Sequence, residues 1–310
     1  MRIYLSLFLF LASILAIAQH INPLLADPTI FEYKGTYYLY GTKGNSAIKG
    51  EGFLVYTSTD LKTWSKPAGA TDGFAFKKGD GYGDKGFWAP QIFEQRGRFY
   101  MAYTANEEIA IATADSPLGP FKNDGKAIAS DVRQIDPFIF FDNGKAYMYH
   151  VRLDKGNRIF VAEMEDDLMA MKPATLKECI TATLPWEDTE KVAWTVTEGP
   201  TVIKKDNLYY LIYSANDFRN KDYAVGYATA ATPYGPWKKS YTPFISSQLL
   251  KFPGTGHGDI FYDKKGNMYY VFHTHFSETE VSPRKTAMIP VVLKNGRITI
   301  QKGKSIIWLG

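Results

Sequence analysis

Apolar and polar positions change over in short runs along this chain, and no long stretch holds a 3.6-residue period, so the pattern predicts strands throughout. Five runs share one grammar: an apolar strand, a tight turn, then an aromatic strand. They read PTIFEYKGTYYLY, PQIFEQRGRFYMAY, PFIFFDNGKAYMY, PTVIKKDNLYYLIY and DIFYDKKGNMYYVF, and they open at Pro28, Pro90, Pro137, Pro200 and Asp259. A turn residue follows each opening by seven (Gly35, Gly97, Gly144, Asn207, Gly266), and a tyrosine by ten (Tyr38, Tyr100, Tyr147, Tyr210, Tyr269). Each run is a hairpin signature. Recurrence at intervals of roughly 50–60 residues in an all-β chain predicts a five-bladed β-propeller, one blade per run and one domain in all. Third strands are expected within 52–64, 108–121, 158–168, 223–237 and 284–292, the second and fourth of them ending in the same Pro-x-Gly-Pro-aromatic turn. Residues 66–87 and 169–196 read as long insertions, the kind that shape a binding face on a rigid scaffold.

The repeat is broken just before each opening, where Asp27, Trp88-Ala89, Asp136, Glu198-Gly199 and His257-Gly258 stand in turn. The first strand of a propeller blade lines the central channel, so these positions are expected to converge on one axis. Three carboxylates would then share one place. Packing gives no reason for that, because like charges held close raise each other's pKa at a cost in stability.

Convergent carboxylates suit glycosidic bond cleavage with inversion. One group protonates the leaving oxygen and the other deprotonates water, and they stand roughly 6.5–9.5 Å apart to admit that water. Asp27 and Glu198, on the first and fourth blades, are the expected pair, and Asp136 between them would raise the pKa of the acid Glu198. An isolated Asp-Pro is ordinarily a turn or strand start; it is the matching repeat positions that favour catalysis. Trp88 is either core filling or a platform for a sugar face. His257 is either a hydrogen-bonded channel histidine or a contact to water or metal; calcium, which prefers oxygen ligands, is the cation expected at the channel centre. Arg284 clamps a sugar hydroxyl, pairs with a carboxylate or sits solvated on the surface. His273 and His275 share a strand face but lack a third ligand, so they read as structural.

Composition narrows the partners. A formal net charge of +4, with lysines scattered rather than clustered, gives no nucleic-acid footprint and points to a neutral substrate. Residues 1–18 have the Arg2 n-region, a Leu5–Leu15 apolar core and Ala16-Ile17-Ala18, which together predict a cleaved signal peptide and a propeller over 19–310. The apolar run falls short of the roughly 20 residues of a membrane span. Cys179 is the single cysteine, which rules out an internal disulfide; it is expected to be a half-buried structural thiol, in a monomer that is secreted or periplasmic.

The motifs ADPTIF (26–31), FWAPQIF (87–93), IDPFIF (135–140), TEGPTVI (197–203) and GTGHGDIF (254–261) resemble, in order, the five blade-start motifs of glycoside hydrolase family 43. The resemblance spans essentially all of 19–310. It implies an inverting enzyme acting on furanosides or pentosides, with Asp27 as general base, Glu198 as general acid and Asp136 as modulator and orienter of the acid. It also implies a central metal or water site at His257 and a sugar subsite at Arg284. No cofactor is required for the chemistry. The family often has an acidic residue where Gln91 stands after Trp-Ala-Pro. Among the family's activities, an exo-acting α-L-arabinofuranosidase on arabinose-containing plant glycans is the expectation, with β-D-galactofuranosidase and β-xylosidase as alternatives. A non-catalytic carbohydrate-binding propeller is the alternative from another class.

Overall fold

The computed structural model describes residues 21–44 and 48–309. The expected signal peptide at 1–18 lies outside the described residues. Five antiparallel sheets follow one another along the chain as blades, and among the described residues a sixth, two-stranded sheet comes before the second of them in sequence. The first blade is Leu25–Tyr33, Thr36–Lys43 and Tyr56–Ser58. The second is Trp88–Gln95, Arg98–Ala105 and Glu108–Ala114. The third, Gln134–Asp142, Lys145–Leu153 and Asn157–Glu163, takes its fourth strand, Lys177–Ile180, from the long insertion. The fourth is Thr197–Lys205, Leu208–Ala215, Ala224–Ala230 and Lys238–Lys239. Gly256–Tyr262, Met268–Thr274 and Lys285–Lys294 form the fifth, with Arg297–Ile300 and Ile307–Trp308 beside its third strand. This is the five-bladed β-propeller expected from the sequence. The insertion at 66–87 is not wholly a loop, since Phe74–Lys77 pairs with Gly52–Leu54.

The turn residues explain the regularity. In four blades the hairpin loop is two residues long, Lys34-Gly35, Arg96-Gly97, Asn143-Gly144 and Asp206-Asn207, and both residues of each have positive φ. That is the geometry whose twist matches paired strands, and it is why Gly or Asn recurs there. In the fifth blade the loop is longer, running from Tyr262 to Met268. The register there pairs Phe261 with Tyr269, as Phe31 pairs with Tyr38 in the first blade. The structural opening is therefore Gly258, one residue before Asp259.

Between blades the core is aromatic and aliphatic, with Tyr40, Tyr103, Tyr149, Tyr213, Tyr223 and Tyr270 among its largest fully enclosed side chains. The recurring Pro-x-Gly-Pro turn is held from the preceding blade in both copies: Tyr40 donates its hydroxyl to Pro117 O, and Tyr149 does the same to Pro233 O. The ring closes where the Thr286 hydroxyl, on the fifth blade, accepts the Leu25 N–H at 2.9 Å and lies 2.7 Å from Pro23 O. Gln91 crosses from the second blade to the third by accepting from Ile139 N–H (2.6 Å) and donating to Ile139 O (3.0 Å). A carboxylate could accept but not donate there, which accounts for an amide at this position. Cys179 is half-buried, and burial pushes its thiol up to about 12, so it is inert as a nucleophile near neutral pH.

Candidate active site

Each blade enters the hub through a left-handed corner. Asp27, Ala89, Asp136, Gly199 and His257 all have φ between 39° and 60°, and each sits where the pairing register of the first two strands slips. Four of the five are not glycine, so this conformation must be stabilised from outside the corner. In four blades a side chain on the preceding blade's second strand accepts the corner N–H. Thr42 takes Ala89 (2.9 Å), Thr104 takes Asp136 (2.9 Å), Ser214 takes His257 (2.8 Å), and His273 Nδ1 takes Asp27 (3.1 Å). On the third blade the corresponding residue is Val151, which cannot accept. The Gly199 N–H turns instead to Asp136 Oδ2 at 3.1 Å, so the missing acceptor holds Asp136 toward the fourth blade. Gly199 is required here: its φ is +60°, and a Cβ would lie 2.7 Å from the His257 ring.

One residue before the corner, Trp88, Ile135 and Glu198 project on the same face. Together with Asp27, Asp136, Asn157, Phe218, His257 and Arg284 they line a cavity of about 260 Å³. The structure therefore brings together every residue singled out by the sequence: Asp27, Asp136, Glu198, Trp88, His257 and Arg284.

The carboxyl groups differ in their surroundings. Burial alone would raise Asp27, but the Arg284 guanidinium (Nη1 to Oδ1, 3.2 Å) and the Thr42 hydroxyl (2.5 Å to Oδ2) outweigh it. Its carboxyl is held well below the usual range. Glu198 is pushed up to about 7, first by burial and then by the charge of Asp27, against hydrogen bonds from Tyr223 and Asn157 that favour its ionised form. Asp136 is also driven upward, by burial and by Glu198 and Asp27. One carboxylate stays ionised and another keeps its proton near neutral pH, within one cavity. That is the division of labour acid–base catalysis needs.

Arg284 is neither on the surface nor free: it pairs with Asp27 and lies over the Phe218 ring, 4.7 Å from its centroid. Trp88 is half-buried and faces the cavity while packing against the third-blade core. The His257 Nδ1 stands between Asp27 and Asp136, 3.4 Å and 3.8 Å from their oxygens. Among the described residues no three His, Cys, Asp or Glu side chains group as metal ligands. A lone imidazole is a poor fit to calcium, so no step below is routed through a metal.

The comparisons with known proteins converge on one group. The family model for Glycosyl hydrolases family 43 matches residues 21–298. The chain belongs to that family. A crystal structure of an endo-1,4-beta-xylanase from Bacteroides thetaiotaomicron is 41% identical, with a TM-score of 0.84, over 93% of this chain and 97% of that one. The beta-D-galactofuranosidase xynD of Aspergillus niger is 22% identical over 272 residues, 81% of this chain and 74% of that protein. A xylosidase/arabinosidase of Butyrivibrio fibrisolvens is 26% identical over 264 residues, 81% of this chain, and the match spans half of that protein's length. As a family 43 member the protein is a glycoside hydrolase. Among the described residues no helix is long and apolar enough to cross a membrane.

This family 43 site also holds residues that the sequence pattern does not single out. The Tyr223 hydroxyl donates to Glu198 Oε1 at 2.8 Å, and Asn157 Nδ2 donates to Oε2 at 3.1 Å. His273, read from sequence as structural, is fully buried beneath Asp27, and Tyr223 stacks on its ring with centroids 5.7 Å apart. His275 Nε2 lies 2.8 Å from Phe218 O and steadies the loop that carries Phe218 to Arg284. These side chains come from second and third strands and from connections, outside the repeated opening motif.

Proposed function

We propose that this glycoside hydrolase is an exo-acting, inverting enzyme that releases a terminal pentose or furanose, with α-L-arabinofuranosides on plant glycans as its first substrate class. The observation that carries the reading is the convergence of three carboxyls on one cavity on the scale of a single sugar ring, with Asp27 paired to Arg284 and Glu198 held by the neutral donors Tyr223 and Asn157. In this mechanism Asp27 takes a proton from water as the water oxygen bonds to the anomeric carbon. Glu198 gives its proton to the bridging oxygen as the bond from that oxygen to the anomeric carbon breaks. Asp136, held toward the fourth blade by the Gly199 N–H, orients the acid side of the cavity, while burial and the charge of Asp27 favour the protonated form of Glu198. Arg284 keeps the base ionised and, over Phe218, walls the cavity.

Exo action is supported by that wall: Arg284 and Phe218 bound one part of the cavity, while Trp88, Ile135 and Asn157 are shared with a second cavity. A second reading, β-xylosidase, shares a β-1,4-xylan substrate class with the 41% identical endo-1,4-beta-xylanase from Bacteroides thetaiotaomicron, though not its endo action. Hydrolysis of 4-nitrophenyl α-L-arabinofuranoside, β-D-xylopyranoside and β-D-galactofuranoside separates the candidates. NMR of the first product anomer tests the stereochemistry: inversion is expected, and a retained anomer refutes the mechanism. Sugar binding without turnover on the whole panel would instead indicate a non-catalytic propeller. Export through the 1–18 leader belongs to the same reading, and N-terminal sequencing of protein recovered outside the cytoplasm should begin near Gln19.

A further inference from the structure

Near the end of the insertion between the third and fourth blades stands Trp194, an indole that is 49% exposed. Its Nε1–H donates to Asn157 Oδ1 at 2.8 Å, and Asn157 Nδ2–H donates to Glu198 Oε2 at 3.1 Å. An indole N–H only donates, so it fixes the amide with its carbonyl toward Trp194 and its NH2 toward Glu198. The Asn157 backbone is tied down as well: its N–H donates to Thr195 O (2.8 Å), and its carbonyl accepts from the Thr197 hydroxyl (3.0 Å). The two oxygens of Glu198 are therefore not equivalent. One faces the enclosed hydroxyl of Tyr223, and the other faces Asn157 at the cavity wall.

Across that wall lies a second cavity of about 500 Å³, bounded by Trp88, Trp194, Leu153, Asn157 and the exposed Arg133–Glu107 ion pair. Two indoles with ionic donors and acceptors at the edge suit a sugar ring, which presents apolar C–H faces and peripheral hydroxyls. The cavity meets the first at Asn157, the residue that donates to the acid Glu198, and a leaving group departs on the side of the acid.

We propose that this second cavity is the leaving-group site and takes the next sugar ring of an oligosaccharide. Trp194 stacks that ring and, through Asn157, orients the Glu198 carboxyl toward the bridging oxygen. The inference rests on the glycosidase reading above. In the reaction the bridging oxygen takes the Glu198 proton and leaves as a hydroxyl of the ring seated on Trp194, while water supplies the oxygen on the released sugar.

The test compares wild type, Trp194→Phe and Trp194→Ala on a disaccharide and on the 4-nitrophenyl glycoside of the same terminal sugar. Trp194→Phe keeps a flat ring but no N–H, so kcat on the disaccharide should fall about tenfold with KM little changed. Trp194→Ala also removes the platform, so KM for the disaccharide should rise about tenfold as well. For both variants the loss in kcat/KM should be at least about tenfold smaller on the nitrophenyl glycoside, whose leaving group needs no proton and carries no sugar ring. Equal losses on both substrates, or no loss on the disaccharide, overturn the inference and leave the glycosidase reading standing. So does a wild type that cleaves the nitrophenyl glycoside but no disaccharide. A wild type that cleaves neither overturns the reading itself and this inference with it.

Discussion

Replacing Tyr223 by Phe deletes one hydroxyl and little else. The ring is fully buried and stacked on His273, and Phe fills the same space. What is lost is the 2.8 Å hydrogen bond to Glu198 Oε1. A hydrogen bond to a carboxylate contributes about 1.5–3 kcal/mol and one to a neutral partner about 0.5–1.5 kcal/mol. The ionised form of Glu198 thus loses about 1 kcal/mol more than the protonated form, close to one pH unit at about 1.36 kcal/mol each. Glu198 acts in its protonated state, so activity falls as pH rises through its pKa of about 7. Removing a donor that favours the carboxylate raises that pKa, and the alkaline limb of kcat/KM should move up by about one unit. The assay is kcat/KM on a disaccharide from about pH 4 to about pH 10. An alkaline limb that stays in place or moves to lower pH would refute the assignment of Glu198 as the acid held by Tyr223.

Four further outcomes are expected. Glu198→Ala should cut kcat on natural glycosides by about 10²–10⁴-fold and much less on aryl glycosides with good leaving groups, whereas Asp27→Ala should remove both activities; equal loss for Glu198→Ala on both substrates counts against the acid role. Asp27 acts ionised, so activity disappears as pH falls through its depressed pKa; Arg284→Ala withdraws the main cation beside it and should move the acid limb up by about one unit or more, and an unmoved limb would show that the ion pair does not set it. Gln91→Glu leaves Ile139 O without its donor and should cost about 1–3 kcal/mol, read as a melting temperature several degrees lower; an unchanged value would contradict the bridging role. Chelator treatment should leave activity and melting temperature unchanged, since no three His, Cys, Asp or Glu side chains among the described residues group as metal ligands, and a fall in either would bring back the channel cation.

The parts of the fold that were legible in the sequence are those the backbone chemistry dictates locally. Two-residue hairpin loops with positive φ favour Gly or Asn at their second position, so four blades declare themselves; the fifth is displaced by one residue because its loop is longer. Asp27, Asp136 and Glu198 were legible because the repeat brings them to the hub and packing gives no reason for them. Tyr223, Asn157 and His273 were not, because their roles arise from pairings distant in sequence. His273 shares a strand face with His275, yet one supports Asp27 and the other holds Phe218. Val151 was invisible for another reason: its contribution is an acceptor that it lacks, and the effect appears on Gly199 and Asp136.

The five left-handed corners make the hub a ring of sockets with a common backbone shape. Ala89 fills one of them with a methyl group, while Thr42 already secures its N–H. Asp or Asn is at home in such a conformation, so a single codon change there could add a fourth polar group to the hub without moving a strand. A scaffold of this kind can diversify its chemistry by exchanging side chains at fixed posts, and a family built on it can change sugars while keeping one architecture.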